Sequence, residues 1–247
     1  MGTLENKTKQ RYIKMSKLRI SFISDTHGKH KQVTHNLPGG DLLIHAGDLS
    51  SMGYKYEIES FCSWYDGLNN YDHKVFIAGN HDWGFQDKPE ETLEIVNSYK
   101  NIDYLQDDML LVGDDYQSSV KIWGSPWQPE FHNWAFNLPR MGDELDKVWH
   151  KIPTDIDILV THSPACGYLD CVIGRYDNLG CELLTERIKE IKPKIHVCGH
   201  IHTGYGYVFD GTTHFINAAV LNEQYIYTQK PLTIDWDPAT NKVAFLD

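Results

Sequence analysis

The sequence predicts an α/β protein built as a mixed two-sheet β-sandwich flanked by helices. Three observations predict it. From residue 18 onward, short apolar runs rich in β-branched residues alternate with helical patterns. The stretch from Asp108 to Trp127 alternates like a hairpin, and the C-terminal third reads as successive antiparallel strands. Parallel strands with crossover helices, joined to antiparallel strands, give layered sheets with helices outside.

The elements follow in order. Leu18 to Ser24, Asp41 to Ala46, Lys74 to Ala78, Ile156 to Thr161 and Lys194 to Cys198 are short, apolar runs that read as buried strands. Between Tyr56 and Leu68, the residues Ile58, Phe61, Cys62, Tyr65 and Leu68 recur at helical spacing, as do Leu184, Ile188 and Ile191 in Cys181 to Ile191. Tyr205 to Phe209, His214 to Asn217, Tyr225 to Thr228, Leu232 to Trp236 and Lys242 to Phe245 read as the antiparallel strands. Residues 1–17 are polar, lysine-rich and aperiodic, and are expected to form a flexible tail ahead of a single domain over 18–247. Nothing in the sequence suggests a repeat or a linker that would divide that domain.

Composition narrows the function. The 247 residues are 41% hydrophobic, enough for a full core, and their net charge of −11 argues against nonspecific binding of nucleic acid or anionic membranes. No apolar run approaches the roughly 20 residues of a membrane-spanning helix. The 5 cysteines form an odd set without a C-x-x-C pair, so they suggest neither a disulfide framework nor a zinc ribbon, but reduced thiols in a cytoplasmic protein. An acidic chain that acts on an anionic ligand needs a local positive centre.

The polar residues that could build such a centre lie just after the predicted strands. The first strand runs into Asp25-Thr26-His27, the second into Gly47-Asp48, and the third into Gly79-Asn80-His81-Asp82. The Ile156 strand runs into His162, and the Lys194 strand into Gly199-His200-Ile201-His202. Such strand ends converge on one edge of an α/β sheet, where this architecture collects ligands. Asp25, His27, Asp48, Asn80, His162, His200 and His202 are more donors than one ion needs and suit two divalent ions sharing a carboxylate. The nitrogen and oxygen donors, without thiolate, point to Mn or Fe first, with Zn or Co as alternatives. Such ions would supply the positive charge and lower the pKa of bound water, which favours hydrolysis of phosphate esters.

The ordered pattern Asp25-x-His27, Gly47-Asp48, Gly79-Asn80-His81-Asp82, His162 and Gly199-His200-x-His202 resembles the calcineurin-like metallophosphoesterases. Further stretches are similar to the subgroup of metallophosphoesterase domain-containing proteins. They are His45-Ala46-Gly47-Asp48-Leu49, Gly124-Ser125-Pro126-Trp127, Asn133 to Leu138, and the Gly204-Tyr205-Gly206 that follows His202. The resemblance implies that Asp25, His27 and His202 hold one metal, Asn80, His162 and His200 the other, and that Asp48 bridges them. It implies that His81 stands near the leaving group without binding metal and that Asp82 orients it. Some animal members of the subgroup carry glycine at the position of His200, so the set here is complete by comparison. Ala165 departs from the family, which commonly has a second proline there.

The activity so implied is that of a dinuclear phosphohydrolase in which hydroxide held between the ions attacks phosphorus. The subgroup resemblance favours small phosphodiesters, including cyclic nucleotides; a phosphomonoesterase and a noncatalytic metal-binding scaffold are the alternatives. The sequence does not give the oligomeric state. His45 is a candidate neighbour of the site, and Cys166, Cys171 and Cys198 are expected as buried, inert thiols. The aromatic segment from Trp123 to Arg140 reads either as packing beneath a long loop or as a substrate wall, with Arg140 for a second anionic group. Gly79 reads as a residue supplying positive φ.

Overall fold

The computed structural model describes residues 9–11, 17–113, 119–172, 174 and 178–246. In chain order the first half comprises β1 (Lys9–Arg11), β2 (Leu18–Ile23), β3 (Gly40–His45), α1 (Lys55–Asp66), β4 (Tyr71–Phe76), α2 (Trp83–Asp87), α3 (Pro89–Asn97), β5 (Asp103–Tyr104), β6 (Asp108–Val112) and β7 (Val120–Ser125). There follow β8 (Gln128–Pro129), β9 (Asn137–Leu138), α4 (Asp143–His150), β10 (Ile158–Thr161), α5 (Glu182–Ile191), β11 (Ile195–Cys198), β12 (Gly206–Phe209), β13 (His214–Asn217), β14 (Leu232–Asp237) and β15 (Lys242–Leu246).

Two mixed sheets carry the fold, with strand orders β1-β6-β7-β10-β11-β13-β12 and β15-β14-β2-β3-β4-β5. In the second sheet β2, β3, β4 and β5 run parallel, and β14 joins antiparallel to β2. In the first, β7, β10, β11 and β13 are parallel, while β6 and β12 are antiparallel to their neighbours β7 and β13. Alternation along each strand decides the layers. Ile20, Phe22, Leu42, Ile44 and Val75 face Ile122, Ile158, Val160, Ile195 and Val197 in a shared core between the sheets. The opposite faces, Ile23, Leu43 and Phe76 on one sheet and Leu159 and Phe215 on the other, bury against helices.

Helix α1 lies on the second sheet because Ile58, Phe61, Cys62 and Tyr65 fall on one face and are all buried. Each large apolar side chain buried in this way contributes about 1.5–3 kcal/mol of transfer free energy. The start of the helix is tied down by Glu57, whose carboxylate accepts from the amides of Ser51 (3.1 Å) and Tyr54 (3.1 Å). Helices α4 and α5 cover the first sheet with Leu145, Val148, Trp149, Leu184 and Ile188.

The antiparallel expectation for the C-terminal third holds for β12 with β13 and for β14 with β15, but not for one continuous succession. β13 pairs in parallel with β11, and β14 belongs to the other sheet. Between them the chain crosses over: Ala218 N donates to Cys198 O at 2.9 Å and Val220 N to Ser24 O at 3.1 Å, stitching the two sheets together at one end. Tyr225 to Thr228 is not a strand but part of a turn built on Asn222, whose Oδ1 accepts from the amides of Gln224 (3.0 Å) and Ile226 (2.9 Å). Ahead of β2, Lys9–Arg11 pairs with β6 at the sheet edge, while residues 1–8 and 12–16 of the expected tail lie outside the described residues. Among the described residues, no helix is long and apolar enough to cross a membrane.

Candidate metal centre

The motif residues follow the C-terminal ends of β2, β3, β4, β10 and β11, at the end where the sheets are stitched together. The loops there turn at once, and Asp25, His27, Asp48 and His200 adopt φ of 55°, 41°, 54° and 66°. Left-handed backbone costs a non-glycine residue about 1–2 kcal/mol, and it persists where the surroundings fix the chain. Here they do. Asp25 N donates to Gly47 O (2.9 Å) and His27 N to Asp48 O (3.0 Å), so the first two loops lock each other.

Two motif glycines are required by close approach. A Cβ on Gly79 would stand 2.3 Å from Asp48 Oδ1, and one on Gly199 would stand 2.1 Å from Asp25 Oδ2. Gly79 is absent from the glycines of positive φ, so its expected role as a positive-φ residue is replaced by steric clearance for the carboxylate. The amides of the same loops aim the carboxylates: His81 N donates to Asp48 Oδ1 (2.8 Å), and His200 N to both oxygens of Asp25 (3.1 and 3.0 Å).

Around these carboxylates the imidazoles present Nε2. Asp48 Oδ2 lies 3.4 Å from His162 Nε2, 3.6 Å from His27 Nε2 and 4.0 Å from His81 Nε2. Asp25 Oδ1 lies 3.3 Å from His202 Nε2 and 3.9 Å from His27 Nε2. The other ring nitrogens of His162 and His202 are taken by backbone: His162 Nδ1 donates to Ala46 O (2.9 Å) and His202 Nδ1 to Asn222 O (2.9 Å). That arrangement fixes the tautomer that leaves Nε2 free to ligate. His200 joins the group through its ring, centred 5.1 Å from that of His162.

Several features call for a cation. His27 is buried with neither ring nitrogen hydrogen-bonded, an expensive state for polar atoms without a ligand. His162 Nε2 faces Asn80 Oδ1 at 3.0 Å; with Nδ1 bonded to Ala46 O, this contact needs either a second proton on Nε2 or a cation held by both atoms. Burial works against charge on Asp25 and Asp48, yet His202 and His162 respectively hold both carboxyls below the usual range. Burial likewise opposes protons on His162 and His202, but Asp48 and Asp25 outweigh it and push both up to about 9. Burial dominates at His27 and His200, pushed down to about 4 and about 3. Asp25, His27 and His202 form one group with metal-ligating spacing, Asp25, Asp48 and His162 another, and His27, Asp48 and His81 a third. Buried carboxylates, imidazoles and a carboxamide fit divalent metal ions.

All nine motif residues singled out in the sequence therefore meet in one place. Asp82, however, bonds the loops around His81 rather than its ring. Its carboxylate accepts from the amides of Leu49 (3.2 Å), Ser50 (3.0 Å) and Gly79 (2.8 Å) and from the Ser50 hydroxyl (2.5 Å), clamping two loops together. The next carbonyl, Ser51 O, takes the Nδ1 proton of His81 at 2.8 Å. Burial first, and the charge of Asp48 second, push the Asp82 carboxyl up to about 7.

The motifs do not reveal Ser51 and Tyr225. Ser51 reaches His81 through its carbonyl and the His27 carbonyl through its hydroxyl (3.3 Å), and Tyr225 comes from the turn whose composition reads as a strand; its ring meets His27 at 4.8 Å and His202 at 5.5 Å. The aromatic segment divides: Phe136 is core, Trp127 packs against it, and Trp134 stacks on His81 at 4.1 Å and 26°. Arg140 is committed to structure, donating to Leu179 O (2.6 Å), Gly180 O (2.7 Å) and Glu182 (2.8 Å). His45 sits beside the site, 3.0 Å from Thr26 Oγ1. Of the three cysteines expected to be buried, Cys198 is, but Cys166 is half-buried and Cys171 exposed.

A family model for calcineurin-like phosphoesterases matches residues 18–204. The chain belongs to this family. It is similar to human Metallophosphoesterase domain-containing protein 1, 39% identical over 238 residues that cover 88% of this chain and 70% of the human protein. A UPF0046 protein of Caenorhabditis elegans is 36% identical over 251 residues, covering 90% of this chain and 61% of the worm protein. Among solved structures, the protein TT1561 of Thermus thermophilus shares the fold with a TM-score of 0.63 at 14% identity, over 94% of this chain and 99% of that one. Phosphopantetheinyl hydrolase of Mycobacterium tuberculosis does so with a TM-score of 0.55 at 15% identity, over 83% of this chain and 90% of that one. Family membership together with the donor groups identifies a metal-dependent phosphoesterase that acts on a phosphoester substrate with divalent metal ions.

Proposed function

We propose that this phosphoesterase is a dinuclear phosphodiesterase of small substrates, cyclic nucleotides among them. The observation that carries the dinuclear reading is the place of Asp48, one carboxylate oxygen of which lies within 3.4–4.0 Å of three imidazole nitrogens. In this reading Asp25, His27 and His202 hold one ion, Asn80, His162 and His200 the other, and Asp48 both, with Mn²⁺ or Fe the first metals to test and Zn²⁺ or Co²⁺ next. Bound ions of this kind supply Lewis acidity toward phosphoryl oxygens and acidify water. All five cysteines are free, which supports a cytoplasmic setting.

The chain's own residues supply the rest. Ser51 O fixes the proton on His81 Nδ1 and Trp134 fixes the ring plane, so Nε2 points toward the centre. A proton carried there can pass to a leaving oxygen. A cleft of about 550 Å³ beside His200 and His202 gives a second ester group room, which supports diesters over monoesters. Turnover of matched nitrophenyl diesters and monoesters with Mn²⁺, extended to cyclic nucleotides, tests the reading. It expects higher kcat/KM for the diesters. Higher values for monoesters would replace it with a phosphomonoesterase, and bound metal without turnover of either would make the protein a scaffold.

A further inference from the structure

Two aromatic side chains stand exposed in the cleft beside the metal centre. Phe131, 44% exposed, sets its ring edge-on to His200 at 5.7 Å and 85°. Tyr225, 42% exposed, meets His27 at 79° and His202 at 80°. They come from loops far apart in the chain and overlie different parts of the histidine cluster. Each is held by its main chain. Asn137 Nδ2 donates to the carbonyls of Phe131 (3.1 Å) and His132 (3.0 Å), Lys29 Nζ donates to that of Tyr225, and Tyr225 N donates to Asn222 O at 2.8 Å. Tyr225 holds this position at a φ of 57°, a conformation that costs a bulky residue free energy. Its ring is thus kept at the mouth of the centre rather than withdrawn into the core.

The charged groups of the cleft point the same way. Arg140 lines it, but its Nη1 and Nη2 bond Leu179, Gly180 and Glu182, and the Glu182 carboxylate pairs its charge. Among the described residues the carboxylates Glu130 and Glu223 also line it. Beyond the imidazoles of His132 and of the centre itself, what the cleft offers a second ester group is ring surface and these two carboxylates, which favour a flat uncharged group over a second phosphate.

We infer that Phe131 and Tyr225 determine specificity by binding an aromatic group on the second alcohol of the phosphodiester. This inference rests on the phosphodiesterase reading and adds the substrate class to it. Phosphorus stays at the metal centre, and the second alcohol carries its ring into the cleft against the two side chains. An aromatic contact of this kind is worth about threefold to tenfold in binding.

The test uses the full chain loaded with Mn²⁺ and two diesters that share a leaving group, phenyl p-nitrophenyl phosphate and methyl p-nitrophenyl phosphate. The wild type is expected to favour the phenyl diester in kcat/KM, mostly through KM. Phe131→Leu and Tyr225→Leu should each reduce that preference by about threefold to tenfold, whereas Tyr225→Phe, which keeps the ring, should preserve it. An unchanged preference in both Leu variants, or a loss in Tyr225→Phe equal to that in Tyr225→Leu, overturns the inference. A second pair, the p-nitrophenyl esters of thymidine 5′-phosphate and thymidine 3′,5′-bisphosphate, tests charge. A gain of about tenfold or more on adding the second phosphate would reveal an anion receptor and overturn it as well. If the wild type turns over p-nitrophenyl phosphate but none of the diesters, the phosphodiesterase reading itself has failed.

Discussion

Replacing His81 by alanine separates proton donation from metal binding, because the geometry assigns the two to different atoms. The amide of His81 donates to Asp48 Oδ1 at 2.8 Å, and alanine keeps that bond. The loops on either side are clamped by Asp82 through Leu49, Ser50 and Gly79, which the substitution does not touch. The carboxylate should therefore stay aimed and the ions should stay bound. What disappears is the imidazole between Ser51 O (2.8 Å) and Trp134 (4.1 Å). Since Nδ1 already gives its proton to Ser51, the ring acts as an acid only with a second proton on Nε2. A positioned acid is worth about 10²- to 10⁴-fold in turnover, about 2.7–5.5 kcal/mol. The loss should depend on the leaving group. An alkyl alkoxide needs the proton, whereas nitrophenolate is stable as an anion and needs it far less. Steady-state rates on alkyl and nitrophenyl diesters, with metal content measured on the same preparations, provide the assay. Equal losses on both substrates would refute proton donation, and loss of metal would make His81 a ligand, as its place in one of the three donor groups allows.

Further outcomes follow from the same geometry. Asp48→Asn should lower bound metal and reduce turnover by at least about 10²-fold, because a carboxamide cannot supply the charge of a bridging carboxylate; wild-type activity and metal content would contradict the shared-carboxylate assignment. Gly199→Ala places a Cβ 2.1 Å from Asp25 Oδ2; it should displace that carboxylate and weaken metal binding, read by isothermal titration with Mn²⁺, and unchanged affinity would count against the close-approach account. His196 is buried, with its pKa pushed down to about 3, so the unfolded chain takes up its proton first as pH falls. The stability tied to its neutral form is complete above about pH 6.5 and declines by about 1.4 kcal/mol per pH unit down toward pH 3. In urea unfolding of metal-free protein, His196→Gln should show a shallower decline between about pH 7 and 5 than the wild type; identical slopes would refute this.

Sequence carried the motif residues and the strands before them because each strand end is a local event: a β-branched run stops and a polar residue follows. Leu18–Ile23 before Asp25 and Ile195–Cys198 before His200 are of this kind. Long-range features did not show. That β14 pairs with β2 and not with β13 is decided by burial of Ile234 and Trp236 against Leu18, Ile20 and Phe22, residues far apart in the chain. Tyr225 to Thr228 has the composition of a strand, yet the side chain of Asn222 captures the amides of Gln224 and Ile226 and turns the chain. The same turn carries the carbonyl that orients His202. Of the two readings of the aromatic segment, the substrate wall gives Arg140 to a second anionic group, whereas the carbonyls of Leu179 and Gly180 accept from its Nη atoms. Ser51 could not be found from side-chain chemistry, since only its carbonyl acts on His81.

The central claim, that two ions share Asp48, is tested most directly by anomalous diffraction from crystals grown with Mn²⁺. The account predicts two anomalous peaks about 3.5–4 Å apart, one beside Asp25, His27 and His202, the other beside Asn80, His162 and His200, with Asp48 between them. A single peak at saturating Mn²⁺, or two peaks that leave Asp48 uncoordinated, would contradict it.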